Sequence, residues 1–444
     1  MTLAERIGSF IAETDFSDLP SRIKEIAKLR LLDLLGAGLA GYRIGLYRPV
    51  AEVLLTEEGK SRVWGEGTLA SCRDGAIINS FMAHSTYLED GSRSTGGHPS
   101  STVIPALLAL GETLSVSGEK VIVGLVLGYE AFIRIGKAMY PSTVDRGYQP
   151  TAILASIGAA AGCAKIMDLD WETCSHALAI SANLGSGLKA ALREPSSQPL
   201  QVGRSCEGGL VAALLAQRGL KGYRMILESY INAHSIAVGV DKIVEDLGKR
   251  YEIEDTYLKI HGGCRGNHAP LDLILKIVRE NQISPEQIGE VKIGIDSVTA
   301  ANEIHSPKNG QDAQFSIPFS VAVALIHGNA SLFQFTDERL QEPEVRSFME
   351  RIQVNINHEL DKWLPMKRGA TGEIILRDGR IYRDTLDIAH GEPESPLTAG
   401  EIEAKFNLLA GEVLGEKTSQ VIDAVYNLDK LDTVGKLTAL LKAV

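Results

Sequence analysis

Two stretches of this chain concentrate side chains that move protons or grip anions. The first reads His84-Ser-Thr-Tyr-Leu-Glu-Asp-Gly-Ser-Arg-Ser-Thr-Gly-Gly-His98-Pro-Ser-Ser-Thr. A helix ending near Asp90 runs into a Gly-rich loop, and a new helix follows with Ser100 or Ser101 as its N-cap. His98 then stands just ahead of a helix N-terminus, where free amides and the macrodipole favour an anion. An imidazole beside such a nest can carry a proton to and from a carbon acid. The plainer reading is a histidine that hydrogen-bonds a turn. The second stretch, Lys259-Ile-His261-Gly-Gly-Cys264-Arg265-Gly-Asn267-His268, is another Gly-rich loop opening a helix. Arg265 offers a planar fork for a carboxylate and Lys259 a charge or a proton, with His268 counted among the substrate-binding residues. His261, Cys264 and His268 raise the question of a metal. No fourth ligand lies near and the spacing matches no standard zinc pattern, so no metal is expected, and Cys264 reads as a small packed side chain.

Two more loops lead into helices with polar residues in front. In GYQPTA (147–152), Pro150 sits in the first turn and Gln149 points from the helix mouth; Gln198-Pro-Leu-Gln201-Val-Gly-Arg204 is built in the same manner. Four helix mouths of this kind suit a polycarboxylate, and ordinary capping repeated four times explains them equally. The chain has no GxGxxG in a strand context, no GxxxxGK[ST], no HExxH and no GxSxG. Nicotinamide, nucleotide and serine-hydrolase chemistry therefore have no support.

The elements that position these loops are mainly helices. The segment 19–41 places Ile23, Ala27, Leu31 and Leu34 on one face, and further helices are expected at 68–88, 102–115, 118–138, 151–167, 171–190 and 204–218. Runs such as ASIGAAAGCA (155–164) let helix axes approach closely. After about residue 265 strand patterns enter at 289–298, 351–360 and 372–389, the last with Asp378-Gly379 as a hairpin turn, beside helices at 268–281 and 316–328. From Thr398 the pattern is helical again, with Ile402, Phe406, Leu409 and Val413 on one stripe. The expected architecture is α+β in two domains: a large all-α helical domain (1–265 and 395–444) and a smaller α+β domain (266–394).

Composition bounds the function. A net charge of −11 over 444 residues argues against nucleic acid or an anionic membrane as partner, while leaving room for a small anionic substrate held by a few focused cations. Five scattered cysteines without a CxxC pair fit a reducing compartment. The start reads as an amphipathic helix and not as a signal peptide, and the uncharged run Ala313 to Thr336 is too interrupted to cross a bilayer. A cytoplasmic protein is expected.

The segments GHPSSTVIPALLALGE (97–112), QPTAILASIGAAAGCAKIMDLD (149–170), CRGNHAPLDLI (264–274) and FSIPFSVAVAL (315–325) together resemble the MmgE/PrpD family, from about residue 3 to 440. That family includes 2-methylcitrate dehydratase, cis-aconitate decarboxylase and iminodisuccinate epimerase. The resemblance implies a homodimer, no cofactor, and a large helical domain with a smaller α+β lid and the site between them. It also implies proton removal or addition beside a carboxylate through an enolate-like state that fixed cations stabilise. It matches His98 to the family's HP histidine, Lys259 to the lysine before the CR motif, and Arg265 to the arginine of that motif. Elsewhere the chain departs. Tyr87 stands where decarboxylase- and dehydratase-like members carry aspartate, and Gly91 where they carry threonine. Gln149 replaces the HPT histidine, Gln198 a lysine, Gln201 a histidine and Phe319 a late tyrosine.

Three functions follow. One is a cofactor-independent lyase, dehydratase or decarboxylase-like, acting on a small hydroxy- or unsaturated carboxylic acid. His98 is then acid/base, Lys259 stabilises the enolate or relays a proton, and Arg265, Gln149, Gln198, His268 and Phe319 line the substrate. Another is an epimerase or isomerase of a small dicarboxylate with His98 or Lys259 facing Tyr87, which requires a lowered phenol pKa. The third is a binding member of the family without catalysis.

Overall fold

The computed structural model describes residues 1–236 and 243–444, and several of its helices begin where a side chain closes the first turn. Helix α1 (Leu3–Glu13) opens on a capping box between Thr2 and Glu5. It is followed by α2 (Ser21–Ile44), α3 (Cys72–His84), α4 (Ser100–Leu114), α5 (Gly118–Met139), α6 (Pro150–Ile166), α7 (Trp171–Ser181) and α8 (Gln198–Gln217). Every residue of α6 is buried, because α5 and α8 pack along it and α4 closes another side. Its small residues make this possible. A Cβ on Gly209 of α8 would lie 2.3 Å from the Ser156 carbonyl oxygen, and one on Gly158 would lie 3.1 Å from that of Gly128 in α5. Gly209→Ala must therefore push α8 off α6, and a loss of about 1–3 kcal/mol is expected from urea unfolding midpoints. Gly400→Ala, at a position with nothing within 4 Å, is the matched control and gains up to about 1 kcal/mol of helix propensity.

Helix α7 stops at Ser181, short of the expected 190. The chain there turns onto α6, where a Cβ on Gly185 would meet Ser156 Oγ at 2.5 Å, and Gly187 O accepts the Gln149 amide. Helix α8 starts at Gln198 and not at 204, because Pro199 fits its first turn.

The described residues form two units, Met1–Thr256 with Thr398–Val444, and Tyr257–Leu397. The junctions differ from the expected 265/266 and 394/395. The Lys259–Cys264 loop lies with the second unit because its backbone is tied there: Gly262 N donates to Ala330 O and Cys264 N to Gln314 O, both at 2.8 Å. In this unit α9 (Arg265–Glu280) precedes β1 (Ile288–Ile295), α10 (Ile317–His327), β2 (Ile352–Ile356), β3 (Ala370–Leu376) and β4 (Ile381–Leu386). The sheet order is β2-β1-β3-β4, with β1 parallel to β2 and antiparallel to β3. The β3–β4 hairpin turns at Asp378-Gly379, where Gly379 has φ +91°. Alternation along β1 sends Val291, Ile293 and Ile295 into a core shared with Leu273, Ile274 and Phe319.

The chain then returns to the first unit as α11 (Ala399–Leu414), capped by Thr398 and Glu401, with Ile402, Phe406, Leu409 and Val413 buried as the stripe predicts. Lys405 Nζ lies 2.6 Å from Asp33 Oδ1 of α2 and donates to Leu88 O at 3.0 Å. Among the described residues no helix is long and apolar enough to cross a membrane.

Candidate active site

The first cluster is built on the stretch between α3 and α4. Asp90 organises it and is fully buried. Its Oδ1 accepts the Ser100 amide at 3.1 Å and its Oδ2 accepts the Tyr129 hydroxyl at 2.7 Å, with Arg30 Nε 3.9 Å away. Burial raises the Asp90 carboxyl pKa, only partly offset by Arg30 and by the Ser100 and Tyr129 hydrogen bonds. This corrects the expected anion nest, since the first amide of α4 is already held by the protein's own carboxylate. It also corrects the cap. Pro99 precedes the helix and neither serine closes it.

The Asp90 backbone carbonyl contacts His98 Nδ1. A carbonyl only accepts, so Nδ1 carries the hydrogen and Nε2 is the basic nitrogen. The His98 amide donates to Thr151 Oγ1 at 3.1 Å, which fixes the backbone under the ring.

Glu89, also fully buried, turns the other way. Its Oε1 is 2.8 Å from His84 Nδ1 and 3.7 Å from His98 Nδ1, and the two imidazole centroids are 5.9 Å apart. His84 Nε2 is 3.1 Å from Gln198 Nε2, and the Tyr87 hydroxyl donates to Gln198 Oε1 at 3.4 Å. The amide nitrogen of Gln198 can only donate, so neutral His84 accepts on Nε2 and carries its hydrogen on Nδ1, where its contact with Glu89 Oε1 is one of charge and proximity. Tyr87, Gln198 and His84 are thus linked by hydrogen bonds, with Glu89 lying between the His84 and His98 rings. Gln198, fully buried, couples two side chains where the helix-mouth reading gave it none.

Tyr87 does not have the surroundings of a base. Burial raises its phenol far above the ordinary value, and the charge of Glu89 raises it further. This is the reverse of what epimerisation by Tyr87 requires. The residue adopts φ +53°, the left-handed region, next to the Leu88 carbonyl that Lys405 holds. Gln149 follows the plainer expectation, with its Oε1 capping α6 through the Ala152 amide at 2.6 Å. Gln201 Oε1 accepts the Leu188 amide at 3.0 Å.

The second cluster lies in the second unit. Gly263, at φ +97°, lets the loop cross Gln314 O, which a Cβ would approach to 2.4 Å. Lys259 is buried. Arg265 has its fork occupied internally: Nε is 2.6 Å from Glu392 Oε1 and Nη2 is 2.9 Å from Oε2, with the Tyr257 ring 4.5 Å from Cζ. The carboxylate that the sequence leads one to expect on Arg265 is that of Glu392, 127 residues away. Phe319, expected to line substrate, is packed in the core with its ring 5.4 Å from Phe335. Among the described residues no three His, Cys, Asp or Glu side chains converge as a metal-binding set.

His268 donates from Nδ1 to Cys264 O at 3.1 Å, and its Nε2 is buried with no hydrogen-bond partner among the described residues. Burial, then the charges of His261 and Lys259, pushes its pKa down to about 3, against the opposing pull of Asp272 and the Cys264 carbonyl. The ring is therefore neutral in the folded protein. Because 6.5 is the ordinary value and the folded value lies below it, the folded state binds fewer protons, and this part of the stability is complete above pH 6.5 and declines as pH falls. Urea unfolding at pH 7 and pH 5 is expected to show about 2 kcal/mol more loss in the parent than in His268→Asn.

His84, Asp272, Glu392 and Lys405 have no role in the sequence reading, and Glu89 figures there only as a neighbour of the loop. His84 carried the one usable signal, a histidine closing a helix directly before the loop.

A helical unit with His98 on a Gly-rich loop, and an α+β unit opening on the Lys259-to-Arg265 loop, are the two domains of one enzyme family. The chain belongs to the MmgE/PrpD family: residues 5–235 match its N-terminal domain and residues 261–430 its C-terminal domain. It is 26% identical to the cis-aconitate decarboxylase of Aspergillus terreus, over 96% of this chain and 92% of that protein. It is 25% identical to the cis-aconitate decarboxylase-like protein oryM of Aspergillus oryzae, over 98% and 96% respectively. With the cis-aconitate decarboxylase of Homo sapiens it shares 24% identity, over 99% and 95%. These distant relatives are carboxylic-acid lyases by name.

Proposed function

We propose that this protein is a cofactor-independent lyase acting on a small hydroxy- or unsaturated carboxylic acid by proton transfer next to a carboxylate. The observation that carries this reading is His98 on its Gly-rich loop, whose Nδ1 is committed to the Asp90 carbonyl so that Nε2 is the nitrogen that can take or give a proton. Glu89 behind it favours the imidazolium formed when Nε2 takes that proton. The electron pair left on carbon delocalises into the adjoining carboxylate. In a dehydration that pair forms the double bond as the hydroxyl leaves, protonated, as water. In a decarboxylation the proton moves the other way, His98 giving it to carbon and the pair of the broken C–CO2 bond staying on the substrate. The named activity of the relatives supports this second course. Lys259 enters as the enolate-stabilising cation through the family resemblance, and the homodimer enters in the same way. Gln149 in place of a histidine and Gln198 in place of a lysine make the pocket more neutral, which favours a substrate with fewer carboxylates than the family's best-known ones.

The test is proton NMR in heavy water with cis-aconitate, citrate and an iminodicarboxylate as probes. Deuterium is expected at a carbon beside a carboxylate, together with a dehydrated or decarboxylated product, and His98→Ala is expected to lose at least about a hundredfold in rate. Inversion without loss of a group replaces the lyase reading by the epimerase. Binding of a probe with no exchange replaces it by a non-catalytic member. Light scattering reads the dimer.

A further inference from the structure

His84 closes α3 and is buried, yet nothing in the proton-transfer step uses it. Its two ring nitrogens face different groups. Nδ1 lies 2.8 Å from Glu89 Oε1, the oxygen that is also 3.7 Å from His98 Nδ1. Nε2 lies 3.1 Å from Nε2 of Gln198, the first residue of α8. One carboxylate thus serves two imidazoles, and the nearer of them is not the one that exchanges a proton. A charged His84 would take that carboxylate first, because the attraction weakens with distance and burial leaves it little screened. It would also repel a second cation on His98, whose ring centroid is 5.9 Å away.

The orientation of the Gln198 amide prevents this. The Tyr87 hydroxyl donates to Oε1 at 3.4 Å, which leaves the NH2 end turned towards His84. The phenol keeps its hydrogen for that bond, since burial and then the charge of Glu89 raise its pKa far above the ordinary value. An NH2 group only donates, so a hydrogen on His84 Nε2 would face another hydrogen. Among the described residues the titratable groups around His84 are Glu89, His98 and Tyr87, the last with its ring centroid 6.1 Å away.

We infer that Tyr87 and Gln198 lock His84 in its neutral form with the hydrogen on Nδ1, and that this lock reserves the charge of Glu89 for His98. The inference rests on the reading of His98 as the proton-transfer group. In the step the proton moves between His98 Nε2 and the substrate carbon, and His84 neither takes nor gives one. Tyr87, Gln198 and His84 are positioning residues, acting on the reaction through Glu89. The arrangement lies wholly within the helical unit.

The experiment uses the full chain with 15N-labelled histidine at neutral pH, the His84 signals being those that His84→Gln removes. In the parent, His84 is expected to be neutral with its hydrogen on Nδ1. Tyr87→Phe frees the amide to turn and is expected to mix the two tautomers. Gln198→Glu sets a carboxylate against Nε2, which requires a hydrogen there, and a doubly protonated His84 is expected. With a probe acid that the parent turns over, Gln198→Glu is expected to lose about tenfold or more in kcat, but less than about threefold when made in the His84→Gln background. A contact with substrate or a packing defect would cost the same in both backgrounds. A hydrogen on Nε2 of His84 in the parent overturns the lock, and that measurement needs neither lock variant to fold. An unchanged tautomer in Tyr87→Phe overturns the part given to Tyr87, and equal losses in the two backgrounds overturn the route through His84. A parent that turns over no probe overturns the carbon-acid reading and the positioning role with it, and the tautomer still decides whether Gln198 sets the ring.

Discussion

Glu89→Gln is expected to slow proton transfer at His98 by about a hundredfold or more while leaving KM nearly unchanged. The reason is electrostatic. Glu89 Oε1 stands 3.7 Å from His98 Nδ1 and 2.8 Å from His84 Nδ1, and the carboxylate is fully buried, where its charge is little screened. A positive ring at His98 is stabilised by that charge only when a proton has arrived, so the interaction acts on the reacting state and not on substrate binding. Glutamine keeps the shape and removes the charge. Its NH2 can also face His84 Nδ1–H, which disturbs the tautomer that Gln198 sets. A second readout separates charge from packing: with Glu89 neutral, the Tyr87 phenol loses one of the two influences that raise it and titrates at lower pH by ultraviolet absorbance. A Glu89→Gln rate within threefold of the parent assigns proton transfer at His98 to the imidazole alone.

Lys405→Met is expected to cost about 3–5 kcal/mol in urea unfolding, the largest stability effect of any single side chain considered. The ammonium and the Asp33 carboxylate are both buried, with 4% and 1% of their side-chain surface accessible. Removing the cation strands the anion. The double variant Asp33→Leu with Lys405→Met replaces both charges by apolar groups and is expected to recover most of the loss. Activity is expected to behave differently. Lys405 also donates to Leu88 O, between the left-handed Tyr87 and Glu89, and the double variant cannot restore that bond. Full stability with a lowered kcat in the double variant identifies Lys405 as a positioning residue. Recovery of both assigns it to stability alone.

What the sequence discloses is what is local in the chain. The apolar stripe of α11 and the Asp378-Gly379 turn were legible because each depends on residues within a turn or two. His98 and Lys259 stood out as candidates through residue type and Gly-rich surroundings. Three readings changed for one physical reason, that the deciding partner lies far along the chain. Arg265 meets Glu392 across 127 residues. Gln198 meets His84 across 114 residues. Phe319, expected to line substrate, faces a core assembled from several elements. The direction of the Tyr87 shift was also out of reach. A phenol needs a nearby cation to act as a base, and only the fold shows that a carboxylate stands there.

The Lys405 bond also sets an order of events during synthesis. Asp33 and the Leu88 carbonyl leave the ribosome early, and their lysine follows 372 and 317 residues later. At about 5–20 residues per second, the nascent helical unit waits roughly 15–75 s with that carboxylate unpaired. During this interval the stretch bearing Tyr87 and Glu89 has no fastening at Leu88 from α11. The last helical layer therefore acts as a clasp that closes only after the α+β unit has been made. Arrest of translation just before residue 405 should leave an accessible protease site near Leu88 that release a few residues later removes.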